Sequence, residues 1–136
     1  MELTEFINKA IGVPFKDHGR DFDGWDCWGM AVCLYSSVYG ISIESFDGLT
    51  GLNSKESEKL FEDYRKSWIE VKRGEEIPGD LIIIRGHSVI HVGIVVKKGL
   101  MLHTEDKLDT CVEPYSVRVW DKRILTMGHY AKLTNR

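Results

Sequence analysis

Apolar residues open the chain at helical spacing. Leu3, Phe6, Ile7, Ala10 and Ile11 fall on one face, which predicts an amphipathic helix over the first dozen residues. Gly12-Val13-Pro14 ends it. Residues 16–26, rich in Asp and Gly, predict a loop. From Cys27 to Tyr39 there is no charged residue, so the helix predicted there is buried nearly all round. Gly40 suits its C-terminal cap. A polar loop follows to about Asn53. Asn53 with Glu56 has the form of a capping box, and Leu60, Phe61, Tyr64 and Trp68 mark a second amphipathic helix. Beyond Trp68 the pattern changes. Ile77-Pro78-Gly79-Asp80 is a turn. Leu81 to Ile84, Val89 to Val96, Leu100 to Thr104 and Ile124 to Leu133 are rich in β-branched and large apolar residues and predict strands. Helices first and strands second point to an α+β fold, with helices packed against an antiparallel sheet.

The length of 136 residues is that of one domain, residues 1–136. At that length folding removes roughly two-thirds of the unfolded surface from water, enough for a real core. Lys plus Arg is 18 against 21 Asp plus Glu, a net charge of −3, which does not suggest a broad basic face for nucleic acid. Met1-Glu2-Leu3-Thr4-Glu5 has neither the basic start nor the apolar run of a secretory signal, so synthesis in the cytoplasm is expected. The longest uncharged stretch, Cys27 to Ile43, reaches the lower edge of membrane-spanning length, but its Ser, Tyr and Gly content favours a buried helix and a turn over membrane insertion. Three cysteines, Cys27, Cys33 and Cys111, with no CxxC pair exclude a disulfide scaffold and a zinc ribbon.

Thiol catalysis needs a thiolate, a base that holds the proton and a group that fixes the base. Cys27 stands where an Asp- and Gly-rich loop meets an uncharged helix. A helix N-terminus there lowers a thiol's pKa and offers amides to an oxyanion. Cys33, inside the helix, and Cys111, in a later strand, read as small core residues. The base is expected on a strand facing the helix. Val89–Val96 and Leu100–Thr104 flank Lys97-Lys98-Gly99, and a three-residue loop with Gly in the left-handed region pairs Val96 with Leu100. His91 then stands opposite Glu105, with His103 a diagonal neighbour roughly 7–8 Å away at the backbone. Val92, Ile94, Val96, Leu100 and Leu102 form the apolar stripe of the other face. His91 is thus the expected base and His103 the residue that orients it. His87 ranks second as base because Gly86 and Ser88 place it in a loop, and His18 and His129 read as solvated. Cys27, His87, His91, His103 and Cys111 fit no common zinc spacing, so neither a metal nor another cofactor is expected.

Gly24-Trp25-Asp26-Cys27-Trp28-Gly29-Met30 resembles the nucleophile motif of NlpC-type (NlpC/p60) cell-wall peptidases. Pro78-Gly79-Asp80-Leu81-Ile82 resembles the strand entry that precedes the family's histidine, His91-Val92-Gly93-Ile94-Val95 its base motif, and Met101-Leu102-His103-Thr104 the segment with its third polar residue. The pieces run in the same order over nearly the whole chain. The resemblance implies a papain-like fold and hydrolysis of peptidoglycan peptide stems, typically beside D-γ-glutamyl and diaminopimelate residues. Cys27, His91 and His103 are its catalytic residues. The resemblance implies that Asp26 takes the substrate's amino end; Trp25 and Trp28 read as core or groove-wall residues, and a peptide groove lined by them would be partly exposed. Trp28 and Trp120 are similar to members from bacteriophage tail gene clusters, so other tail proteins are implied partners of a chain that is monomeric in isolation. Two positions depart from the pattern: Trp28 replaces the usual Ser, and Phe15 replaces a Tyr whose hydroxyl helps bind the oxyanion. The Trp25 indole N–H is a candidate substitute. A tail or assembly protein with the fold but not the activity is the alternative.

Overall fold

The computed structural model of the chain describes residues 1–46, 62, 66, 68–85 and 90–133. The expected capping box at Asn53 and Glu56, the helical positions Leu60, Phe61 and Tyr64, and His87 lie outside the described residues.

The first helix, α1 (Leu3–Ala10), buries Phe6 and Ala10. Gly12, at φ 91°, turns the chain away from it in a conformation that L side chains avoid. The stretch expected to be all loop contains a small antiparallel ribbon, β1 (Arg20–Asp21) and β2 (Gly24–Trp25). Next comes α2 (Cys27–Leu34), with Trp28, Gly29, Met30, Ala31 and Leu34 all buried. It runs on as a π-helical turn, Tyr35–Tyr39, and stops at Gly40, at φ 65°. The uncharged helix is thus enclosed through most of Cys27–Tyr35, but Val32 and Cys33 are half-buried and Ser36 is exposed, so the burial expected to reach Tyr39 stops short of it.

Among the described residues six antiparallel strands make the sheet: β3 (Trp68–Val71), β4 (Leu81–Arg85), β5 (Ile90–Lys97), β6 (Leu100–Glu105), β7 (Leu108–Pro114) and β8 (Ile124–Tyr130). Their spatial order is β3-β8-β4-β5-β6-β7, and a one-turn helix, α3 (Arg118–Asp121), joins β7 to β8. The result is α+β, with few helices packed on an antiparallel sheet.

Both sheet faces are covered. Leu81, Ile83, Val92, Ile94 and Leu102 pack with α1 and α2 in the larger cluster. The alternate residues Ile82, Ile84, Val95 and Met101 pack with Tyr115 and Trp120 in the smaller one. This explains the unbroken apolar run of β4, since a strand buried on two sides cannot alternate with polar residues.

Two expectations require correction here. Trp68 does not end a helix; it begins β3, pairs with Tyr130 and lies 4.8 Å from that ring. His129 is not solvated. It is 1% exposed, and its Nδ1 lies 2.6 Å from Oδ1 of the fully buried Asp80. The other Asp80 oxygen accepts from the Ile77 amide at 2.9 Å. The Pro78-Gly79-Asp80 turn is thereby pinned to β8, because a buried carboxylate needs both a charge partner and hydrogen bonds.

Candidate active site

The β5–β6 turn sets the site's register. Gly99 has φ 94°, and the register shifts between Val95 and Lys97. Beyond that bulge Ile94 faces Leu102 and Val95 faces Met101. Leu100 pairs with Lys97 rather than with Val96 as expected, but the bulge restores the expected phase beyond it and puts His91 and His103 on one face. Nε2 of His91 lies 3.0 Å from Nδ1 of His103, with the rings at 79°. His91 and His103 are 6% and 0% exposed.

Three residues not foreseen complete the surroundings. Nε2 of His103 is hydrogen-bonded to Oε2 of Glu113 on β7. His103 pairs with Cys111 across the ladder, so Glu113, two residues on, shares its face. Trp120 stacks on His91 at 6.0 Å and 24°, and meets His103 edge-on at 5.1 Å. The Arg123 guanidinium lies 5.0 Å from the Trp120 ring. Trp120 thus roofs the His–His bond, and Arg123 adds positive charge beside it.

This network assigns the protons. With the Glu113 oxygen as acceptor, Nε2 of His103 carries the hydrogen of that bond. Nδ1 of His103 is then the acceptor, and Nε2–H of His91 donates to it. Nδ1 of His91, the ring nitrogen nearer the main chain, is left with its lone pair. Burial, then His103 and Arg123, push His91 down to about 3, so it rests as a neutral imidazole.

Cys27 is the first residue of α2, behind the N-cap Asp26. The backbone amides of Val92 and Trp28 stand close enough to its sulfur to favour the thiolate. The thiol therefore lies at the peptide joining His91 to Val92, whereas the two imidazoles turn toward Trp120. The lowering expected from the helix N-terminus is outweighed. Burial and then the Asp26 carboxylate push Cys27 up to about 12, against the two amides and Arg20. The resting pair is thiol and imidazole, both uncharged.

Asp26 is heavily engaged. Oδ1 accepts from the Gly29 amide at 2.7 Å and from Nη1 of Arg20 at 2.8 Å, and Oδ2 accepts from the His18 amide at 3.1 Å. Gly29 permits this: a Cβ there would lie 2.0 Å from the Gly19 carbonyl oxygen. Trp25 and Trp28 do not line an open groove. They are 0% and 1% exposed, and their indole N–H groups donate to Oγ1 of Thr110 (2.7 Å) and to the Glu44 carbonyl (2.6 Å). The Trp25 donor is therefore already in use. Cys33 is half-buried, its Sγ 3.1 Å from the Arg20 carbonyl oxygen. Cys111 is not a plain core residue, because its Sγ lies 3.7 Å from Nε2 of His103. Two groups of three donors close enough to hold a metal occur among the described residues: His103, Cys111 and Glu113, and Asp17, His18 and Asp26. No described helix is long and apolar enough to cross a membrane.

The family model for NlpC/P60 matches residues 12–129. Solved structures share the fold. One, from Staphylococcus aureus Mu50, is described as similar to a lipoprotein of the NLP/P60 family; it has a TM-score of 0.69 at 20% identity, covering 93% of this chain and 39% of its own. The NlpC/p60 domain of the peptidoglycan hydrolase SagA gives 0.64 at 20% identity over 92% of this chain and 93% of the domain. The P60 domain of an antigen from M. avium subspecies paratuberculosis gives 0.66 at 17%, over 96% and 93%. The chain spans about two-fifths of the Staphylococcus protein and of a similar Bacillus cereus protein, and all of these likenesses concern the fold. No curated protein matches the chain.

Proposed function

The chain belongs to the NlpC/P60 family, and we propose that it is a cysteine peptidase that hydrolyses the peptide stems of bacterial peptidoglycan, beside D-γ-glutamyl-diaminopimelate bonds. The family is generally one of cysteine peptidases, and the SagA domain comes from a peptidoglycan hydrolase. The observation that carries the reading is the relay from Glu113 through His103 to His91, on the strand whose His91–Val92 peptide meets the Cys27 sulfur.

In the proposed reaction Nδ1 of His91 takes the thiol proton as the sulfur attacks the scissile carbonyl carbon. The Cys27 amide at the start of α2 faces the developing oxyanion, since the Gly29 and Met30 amides are already bound to Asp26. The C–N bond then breaks, His91 returns the proton to the leaving amine, and an acyl thioester remains on Cys27. Water, deprotonated by His91, attacks the thioester, releasing the new carboxylate and the thiol. Hydrogen bonds of this kind commonly tighten only in the substrate complex, so a neutral resting pair does not oppose the scheme. Unit 1–136 acts in it as one domain, on peptidoglycan peptides, with Asp26 at the substrate's amino end. The bacteriophage-tail setting rests on the resemblance at Trp28 and Trp120 alone.

One pair of observations favours a second reading, a tail or assembly protein without activity: Phe15 has no hydroxyl, and the Cys27 thiol is pushed up to about 12. Incubating purified wall with the protein and weighing released peptides separates the two. Wild type should release muropeptides and Cys27→Ala none, with its thermal midpoint within a few degrees. Absence of release from every wall type tested, with Cys27 alkylated no faster than Cys33 and Cys111, would establish the second reading.

A further inference from the structure

Around His103 the strand pairing gathers three different donor types. His103 faces Cys111 across β6 and β7, and Glu113 is two residues further along the same face. Sγ of Cys111 lies 3.7 Å from Nε2 of His103 and 4.0 Å from Oε2 of Glu113, and that carboxylate is hydrogen-bonded to Nε2. A tetrahedral zinc ion with ordinary bond lengths holds its nitrogen, sulfur and oxygen ligands about 3.4–3.6 Å apart. Both sulfur separations are already within about half an ångström of that, and only the His103–Glu113 hydrogen bond has to open. The donor set also suits a borderline-soft cation, with an imidazole, a thiolate and a carboxylate. Entry is open from the strand edge: His103 is enclosed, but the Glu113 side chain is 39% exposed and Cys111 is half-buried. Water would fill the fourth position.

We propose that His103, Cys111 and Glu113 form a binding site for a divalent cation of the zinc class, and that its occupancy switches off His91 as a base. The protons dictate the switch. A cation at Nε2 of His103 takes the lone pair of that nitrogen, so the ring's hydrogen moves to Nδ1. Nδ1–H then donates to Nε2 of His91, which becomes an acceptor. The hydrogen of His91 moves to its Nδ1, the nitrogen that must otherwise take the thiol proton. Glu113 exchanges a hydrogen-bond donor for the cation, and only the Cys111 thiol proton leaves for solvent.

The site itself needs no turnover to be tested. Titration of the reduced chain with cobalt(II) should give one bound ion per chain, with tetrahedral absorption and a thiolate-to-cobalt charge-transfer band. Cys27→Ala and Cys33→Ala should keep the band, Cys111→Ala should abolish it, and Glu113→Gln should weaken binding at least tenfold. A wild type without the band, or a band at full strength in Cys111→Ala, overturns the site. For the switch, zinc should move the His91 imidazole nitrogen chemical shifts from the Nε2–H to the Nδ1–H tautomer, and unchanged shifts at saturation overturn it. The inhibitory consequence rests on the peptidase reading. Zinc should slow wall digestion reversibly, and Cys111→Ala should need at least tenfold more zinc for the same slowing. Equal sensitivity would place the inhibiting ion at Cys27 and overturn that consequence, whereas a chain inactive on every wall is still decided by the cobalt and nitrogen spectra.

Discussion

Nδ1 of His103 lies 3.0 Å from Nε2 of His91 and accepts its hydrogen, because Glu113 claims the other nitrogen of His103. Glu113 thereby acts two rings away from the nitrogen that would take the thiol proton. Glu113→Gln, which can present an N–H where the carboxylate accepted, should lower kcat about tenfold and leave KM nearly unchanged. His103→Ala should lower it about 100-fold, within the range of general-base effects. Steady-state kinetics on a defined stem peptide check both, and a KM effect larger than the kcat effect would contradict the positioning role.

The two ends of the site set opposite limits on stability with pH. His91 is held down to about 3 from its ordinary 6.5. Between those values the unfolded chain binds a proton that the folded chain refuses, so stability is full above about 6.5 and falls as pH drops toward 3. Cys27 is pushed up to about 12 from 9.0. Its contribution is complete below 9 and is lost as pH rises toward 12. Denaturant unfolding from pH 3 to 11 should show a plateau between about 6.5 and 9. Cys27→Ala should make the alkaline limb shallower, with the remainder carried by groups such as Cys33, which burial pushes up to about 11, and leave the acid limb in place.

A different buried pair stabilises the fold. Asp80 and His129 are both enclosed and 2.6 Å apart, and Nε2 of His129 has no hydrogen-bond partner among the described residues. Removing the carboxylate strands a buried imidazole and the Ile77 amide together. Asp80→Ala should cost about 3 kcal/mol in urea unfolding, in line with breaking a buried pair by deleting one member. Cys27 should remain in its place on α2.

Gly29 sets how closely the Gly19–Arg20 segment approaches α2. In Gly29→Ala the new methyl meets the Gly19 carbonyl, which is backbone and cannot swing aside. A loss of about 2 kcal/mol is expected from the overpacking, by thermal or denaturant unfolding. Activity should fall more than stability predicts, because Arg20 and Asp26 shift together with the turn that begins at Cys27.

Much of the framework was readable before any coordinates. Alternation in β5 and β6, with Gly99 free to take a left-handed turn, specified that His91 and His103 share a face. The absence of charge from Cys27 to Tyr39 specified a largely enclosed helix, though not its half-buried Val32 and Cys33 or its exposed Ser36. What escaped depended on partners distant in sequence. Glu113 looks like any charge on a weakly alternating strand, and only the His103–Cys111 pairing brings it to the imidazole. The burial of His129 follows from Asp80, 49 residues away. Trp68 fits a helical face as well as a strand, and its pairing with Tyr130 on β8 decides between them. The direction of the Cys27 shift was missed for a related reason: the helix amides were visible in the sequence, but the depth of burial that overrides them was not.

The carboxylate next to the nucleophile already holds a cation. Arg20 binds Asp26 with one guanidinium nitrogen and ties its other donors to Ser45, at 2.9 Å to the hydroxyl and 2.7 Å to the carbonyl. Any ammonium group brought to Asp26 has to compete with that resident guanidinium. Yielding the place would loosen the 41–46 stretch, so occupancy at this end of the molecule is an exchange between two cations, communicated to a loop 25 residues from Arg20 along the chain.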